Sequence, residues 1–212
     1  MKHVLYLFAR DQQVATIAYQ AKDDFWSLEY DVNWVASPNA FPLSPALPLF
    51  SATNTYASGT IKRFVENLLP EGRALDISAS TYGVTKNNVF ALIQQLGVET
   101  AGAFRFCIDS LAFTAAKQDE TKREITLEEL EERLCQRDHI PFVVWDKKVR
   151  MSIAGYQDKL TVLRHEGNGV SRMFLAAPPL ASTHILKPEP AEKNMPHLVA
   201  NEYYWMTLAK RM

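Results

Sequence analysis

The sequence predicts an α+β protein, and three observations carry that expectation. Runs of strand length, apolar and β-rich, fill the first thirty residues. Two amphipathic stretches of helical period follow and stop at Pro70 and Gly97. From Lys148 the pattern returns to short β-rich runs before a last helical stretch, so the chain divides into a small α+β unit over 1–147 and a β-rich unit over 148–212.

In order, Val4 to Ala9 and Val14 to Tyr19 flank the polar Arg10-Asp11-Gln12-Gln13 and read as a hairpin. Trp26, Leu28 and Tyr30 alternate with Ser27 and Glu29 in a third strand. Pro38, Pro42, Pro45 and Pro48 then interleave with Phe41, Leu43, Leu47 and Leu49. Proline lacks a donor and has a fixed φ, so this piece should be an extended strip held by its apolar side chains, not by a ladder. A PxxP ligand for an aromatic groove is the competing reading. Ser58 to Pro70 places Ile61, Phe64, Val65, Leu68 and Leu69 on one helical face; Thr85 to Leu96 does the same with Val89, Leu92, Ile93 and Leu96, and Gly97 stands where a left-handed C-terminal residue is wanted. Phe104, Phe106 and Ile108 alternate as a strand.

Charge rises between Asp109 and Lys148. Thr126 with Glu129 is a capping-box signature opening an acidic linker helix with a stripe of Leu127, Leu130 and Leu134. Its glutamates read as a solvated face, with a surface for a basic partner as the alternative. Val149 to Ile153, Lys159 to Arg164, Val170 to Ala176 and Ser182 to Lys187 read as strands, the middle two joined by a hairpin over His165 to Gly169. Met195 to Met212 reads as a helix.

Composition excludes several classes. A net charge of -1 gives no general field to gather nucleic acid or an anionic membrane. The apolar run at the N-terminus is cut by Arg10 and Asp11, too early for a signal peptide or a membrane span, so no membrane role is expected. Cys107 and Cys135 are too few for a disulfide framework and suit a reducing cytoplasm. The five histidines have no ligand spacing, so no metal site is expected, and no P-loop, nucleophile elbow or dinucleotide fingerprint occurs.

Two features of the second unit carry chemistry. Gly155 lies in a turn, Ala154-Gly155-Tyr156-Gln157-Asp158-Lys159, where a residue without Cβ lets backbone N–H groups approach a phosphate. Gln157, Asp158 and Lys159 add groups able to orient phosphate or a metal ion; an ordinary hairpin turn explains the same residues. Lys187 ends a strand whose apolar members should point inward, and it needs an anion there. Glu202 falls among Leu198, Trp205, Met206 and Ala209 on one helical face, where an unpartnered buried carboxylate would be costly. Pairing Lys187 with Glu202 satisfies both, as the strand lysine and helix glutamate of kinase lobes do. A purely structural ion pair has the same geometry.

In order along the chain, Phe41-Pro42-Leu43-Ser44 with Leu47-Pro48-Leu49, Phe64 to Pro70, Leu96-Gly97 with Gly102-Ala103, Ser152 to Lys159, Ser182 to Lys187, and Asn201-Glu202-Tyr203-Tyr204 with Leu208-Ala209-Lys210 resemble the N-terminal half of HipA-like bacterial serine/threonine kinases, the toxins of type II toxin–antitoxin pairs. The resemblance implies a regulatory, partner-binding subdomain followed by the β-rich lobe of a kinase-like fold. It implies that Ala154 to Lys159 and Lys187 contact ATP phosphates, with Mg²⁺, and that Ser152 is autophosphorylated, placing negative charge beside the loop. The loop departs from the common family form, Ala-Gln-Glu-Lys after the glycine, at Tyr156 and Asp158. Family members phosphorylate aminoacyl-tRNA synthetases, arrest growth, and are neutralised by a DNA-binding, HipB-like antitoxin, so contact with DNA would be indirect. The family's catalytic aspartate belongs to a C-terminal helical lobe for which this chain has no residues. The chain is therefore expected to be a kinase's N-terminal part, inactive alone; the alternative is a non-catalytic module that docks an antitoxin or another protein.

Overall fold

The computed structural model describes residues 2–50, 55–100, 102–109, 122–146, 148–150, 157–167, 169–176, 180–190 and 196–212. Strands β1 (Lys2–Ala9), β2 (Gln12–Gln20) and β3 (Phe25–Tyr30) form the expected meander, and β4 (Phe104–Cys107) adds to β1, giving an antiparallel sheet of order β3-β2-β1-β4. Alternation on β1 sends Leu5, Leu7 and Ala9 into the main core, while Phe8 packs with Cys107 and Tyr6 on the other face. On β4, Phe104 and Phe106 enter the core, but Ile108 lies past the strand's end and is exposed.

The short helix α1 (Val32–Val35), capped by Asp31, leads into the proline strip, which has no regular secondary structure beyond one isolated bridge between Ser44 and Leu47. Side chains pin it as expected, with Leu43 and Leu47 buried. Tyrosine and tryptophan replace the ladder. The Tyr30 hydroxyl accepts from Leu43 N–H (2.8 Å) and donates to the Leu47 carbonyl (2.5 Å), Trp34 Nε1 donates to the Phe41 carbonyl (3.2 Å), and Tyr56 Oη donates to that of Pro48 (2.6 Å).

Helices α2 (Ser58–Glu66), α3 (Gly72–Tyr82) and α4 (Val89–Leu96) complete the first unit. Ile61 and Val65 of α2, with Leu92, Ile93 and Leu96 of α4, pack in one core with Leu5, Leu7, Ile17 and Trp26 of the sheet. Ser58 Oγ accepts the Trp26 N–H (2.9 Å), tying α2 to β3 at the sheet's edge. The α3 helix has no counterpart among the sequence expectations, because its sequence, Gly-Arg-Ala-Leu-Asp-Ile-Ser-Ala-Ser-Thr-Tyr, buries only Ser78 and Ala79 and lacks a broad apolar stripe. The α4 helix starts four residues after Thr85, at a turn where Asn88 Oδ1 accepts from Ala91 N–H (3.1 Å).

Gly97 is right-handed, with φ −64°, and opens a 3₁₀ turn (Gly97–Glu99), against the left-handed cap that its position suggests. Its missing side chain serves packing. A Cβ there would lie 2.6 Å from Phe106 Cβ and 3.1 Å from its carbonyl oxygen, so glycine lets the end of α4 rest on β4.

The second sheet has the order β10-β8-β9-β5, with β8 (Leu160–Gly167) and β9 (Val170–Ala176) as the expected hairpin and β10 (His184–Leu186) at one edge. Its other edge, β5 (Lys122–Ile125), was not expected from the sequence; it pairs Ile125 with Met173 and Lys122 with Ala176. Helix α5 (Leu127–Cys135) follows, and Thr126 Oγ1 accepts from Glu129 N–H (3.1 Å), the Thr126 half of the expected capping box. The Glu129 carboxylate pairs with Arg123. Leu130 and Leu134 pack on the second core, whereas Leu127 is exposed because it begins the helix.

That core comprises Ile125, Phe142, Trp145, Leu160, Val162 and Leu175. Strands β6 (Val144–Trp145) and β7 (Lys148–Val149) form a small hairpin, in which Val143 and Val149 join the first core while Phe142 and Trp145 join the second. Segment 142–149 thus belongs to both. Helix α6 (Leu198–Arg211) ends the described chain.

Candidate functional site

Register builds the site. Leu186 of β10 stands opposite Leu160 of the antiparallel β8, where the ladder ends, and Lys187 and Lys159 are the residues adjoining that last pair on the two chains. Like charges held near one another repel, and the arrangement calls for anions. Burial holds the Lys159 amine below the ordinary lysine range, and the positive charge of Lys187 pushes the same way, against the carboxylates of Glu71 and Glu202. Glu71 comes from the loop before α3, so the first unit contributes charge to this corner.

Glu202 accepts the Lys187 ammonium in an ion pair, as the sequence predicts. Its surroundings differ from the expectation. The side chains are 34% and 38% exposed, and Trp205 and Met206, two members of the expected apolar stripe, are 58% and 66% exposed. Ile185 is likewise 49% exposed, since β10 is an edge strand with few inward neighbours. The pair is therefore half-solvated, and screening reduces its contribution to stability.

Gln157 Nε2 donates to the Pro188 carbonyl (2.9 Å), bringing the end of the predicted loop against the backbone next to Lys187. Asp158 and Lys159 follow as half-buried residues entering β8. Ser152, Ala154, Gly155 and Tyr156 lie outside the described residues. Among the predicted residues that are described, the fold brings Gln157, Lys159, Lys187 and Glu202 together. The sequence reading overlooked Glu71, Arg137 and Glu189; no periodicity marks them, because each acts through a loop.

A family description, the HipA N-terminal domain, matches residues 5–107, which span the first sheet and its helices. The serine/threonine-protein kinase toxin HipA of Shewanella oneidensis is 38% identical over 200 residues, covering 94% of this chain and 42% of that protein. The putative kinase Y4mE of Sinorhizobium fredii is 29% identical over 182 residues, covering 85% of this chain and 41% of that protein. A solved complex of Shewanella oneidensis HipA, HipB and operator DNA superposes with a TM-score of 0.75 at 35% identity, over 97% of this chain and 44% of the matched chain. The chain spans less than half the length of these relatives. It belongs to the HipA family and corresponds to the N-terminal part of those longer proteins.

Proposed function

We propose that this chain is the N-terminal part of a toxin kinase that transfers the γ-phosphate of ATP to serine or threonine of a protein, an aminoacyl-tRNA synthetase being the substrate class that the family resemblance favours. The observation supporting it is that Lys159 and Lys187 adjoin the last paired residues of β8 and β10, near enough for the charge of Lys187 to act on Lys159, with Glu202 paired to Lys187. Two lysines at the same end of the strand pair fit a polyphosphate, and the glutamate paired with Lys187 fixes that side chain's direction.

In this reading Lys187 and Lys159 bind phosphate oxygens, Gln157 holds the loop's end at Pro188, and Ala154, Gly155, Tyr156 and Asp158 complete the phosphate loop. Mg²⁺ supplies charge neutralisation at the phosphates, whose oxygens suit a hard cation. Ser152 is the site at which phosphorylation would disfavour ATP by repulsion. In the family the resemblance points to, the catalytic aspartate belongs to a C-terminal helical lobe, and the residues named here would supply the phosphate-binding half of the site.

The first unit docks a HipB-like antitoxin, and DNA is reached through that partner; the matched complex holds all three. The protein works in the cytoplasm. That suits its two free cysteines, and among the described residues no helix is long and apolar enough to cross a membrane.

Calorimetric titration of the full-length protein with Mg-ATP tests the reading. Binding is expected, with a Lys187→Ala variant weaker by about tenfold or more, as for loss of a charge-assisted phosphate contact. Equal affinity in both proteins would remove Lys187 from the site. No heat in either protein, with tight antitoxin binding retained, would establish the docking module instead.

A further inference from the structure

Two residues after Lys187 stands Glu189, between Pro188 and Pro190. Its carboxylate reaches nine and ten residues ahead: Oε1 accepts the Leu198 N–H (2.7 Å) and Oε2 the Val199 N–H (3.1 Å). These are the first two residues of α6, whose opening N–H groups have no partner within the helix. His197, at the cap position, is left-handed with φ 64° and supplies no side-chain cap. A distant carboxylate does so instead, and its charge suits the positive end of the helix dipole.

The same residue is held from behind. Arg137, in the turn after α5, donates from Nη1 to the Glu189 carbonyl, while Gln157 holds the preceding carbonyl of Pro188 at 2.9 Å. The prolines on either side fix φ and limit the freedom of the segment. One residue therefore joins the strand end that carries Lys187 to the helix end that carries Glu202, one turn beyond Leu198.

We infer that Glu189 is a positioning residue: it sets the rotation and height of α6 so that Glu202 meets Lys187, and Arg137 anchors it. The placement rests on geometry alone. Its consequence for ATP rests on the nucleotide reading above.

The test uses the full-length protein with Glu189→Ala, Glu189→Gln, Arg137→Gln and Glu202→Gln, and Thr126→Ala as a cap lost from another helix. The first readout is the rate at which Lys187 is labelled by an amine-reactive reagent without nucleotide, followed by mass spectrometry. Loss of the cap should raise that rate about fivefold in Glu189→Ala, on the scale of a lost N-cap, with Glu189→Gln and Arg137→Gln between it and the parent. Thr126→Ala should leave Lys187 unchanged. In the Glu202→Gln background, Glu189→Ala should add nothing, because it acts through Glu202.

The second readout is the Mg-ATP dissociation constant, expected to weaken in parallel. Unchanged Lys187 labelling in Glu189→Gln and Glu189→Ala overturns the inference, and if the alanine variant does not fold, the glutamine variant decides. Additive effects of Glu189→Ala and Glu202→Gln also overturn it. Altered labelling in a protein that does not bind Mg-ATP upholds the positioning and defeats the nucleotide reading. Unaltered labelling in a protein that does bind it has the opposite meaning.

Discussion

Tyr30 shows how one hydroxyl can hold a segment that has no ladder. Its ring is half-buried, and its oxygen is both acceptor for Leu43 N–H and donor to the Leu47 carbonyl. Burial raises its pKa to about 12, with the Leu43 N–H opposing and Tyr56 adding to the rise. A folded pKa above the unfolded value means that the neutral phenol is the form the fold favours. The contribution is therefore fully present below the ordinary value of 10.0 and is lost as pH climbs through about 12. Tyr30→Phe is expected to cost about 1–2 kcal/mol at neutral pH, for two hydrogen bonds removed at a half-buried site. Denaturant melts at neutral and alkaline pH check this: the variant should be the less stable at pH 8, and the gap should narrow above pH 10. A gap that is constant with pH would show that the hydroxyl's bonds are not what the titration disrupts.

Among the elements, α4 and α6 contrast. The end of α4 is seated on β4 so closely that Gly97 has no room for a methyl group, with Phe106 Cβ 2.6 Å from where it would stand. Backbone conformation at Gly97 is ordinary, so the cost of Gly97→Ala is steric and should be about 1–3 kcal/mol, the range for overpacking. Thermal melts of Gly97→Ala measure it; Phe106→Leu should give no rescue, because leucine keeps the Cβ and carbonyl that crowd the site, and no loss in the Gly97→Ala variant would contradict the packing. Helix α6 is anchored at one end by Glu189 and in its first turns by Glu202, while Tyr203, Tyr204, Trp205 and Met206 are exposed. Its place is set by polar contacts.

At the scale of the whole molecule, the two sheets share segment 142–149, where Val143 and Val149 enter one core and Phe142 and Trp145 the other. The Trp145 Nε1 donates to the Phe142 carbonyl (2.6 Å), and Arg150 N–H donates to the Val143 carbonyl (2.8 Å), which holds the alternation in place. Adjacent residues facing different cores couple them. Single-tryptophan variants that report at Trp26 in the first core and Trp145 in the second should therefore melt together in denaturant. Well-separated midpoints would show that the units unfold independently.

Much of this was legible before any coordinates. The meander, α2, the hairpin of β8 and β9, the Thr126 cap and the Lys187–Glu202 pair follow from local periodicity, turn residues and the need of a charge for a partner. Where that signal is weak, the sequence was silent: α3 has too narrow an apolar face, and β5 is four residues of mostly charged edge strand, Lys-Arg-Glu-Ile, whose only deeply buried member is Ile125. The reason for glycine at 97 was misread because a left-handed cap and a close contact ask for the same residue. By itself, then, the sequence determined which charged residues stand at the strand and helix ends and that one lysine has a glutamate partner. Only the tertiary structure decided that Lys159 comes within reach of the Lys187 charge, that the Glu202 pair is half-solvated and that Glu189 caps α6, because register and contacts between distant loops arise from long-range packing that no local pattern records.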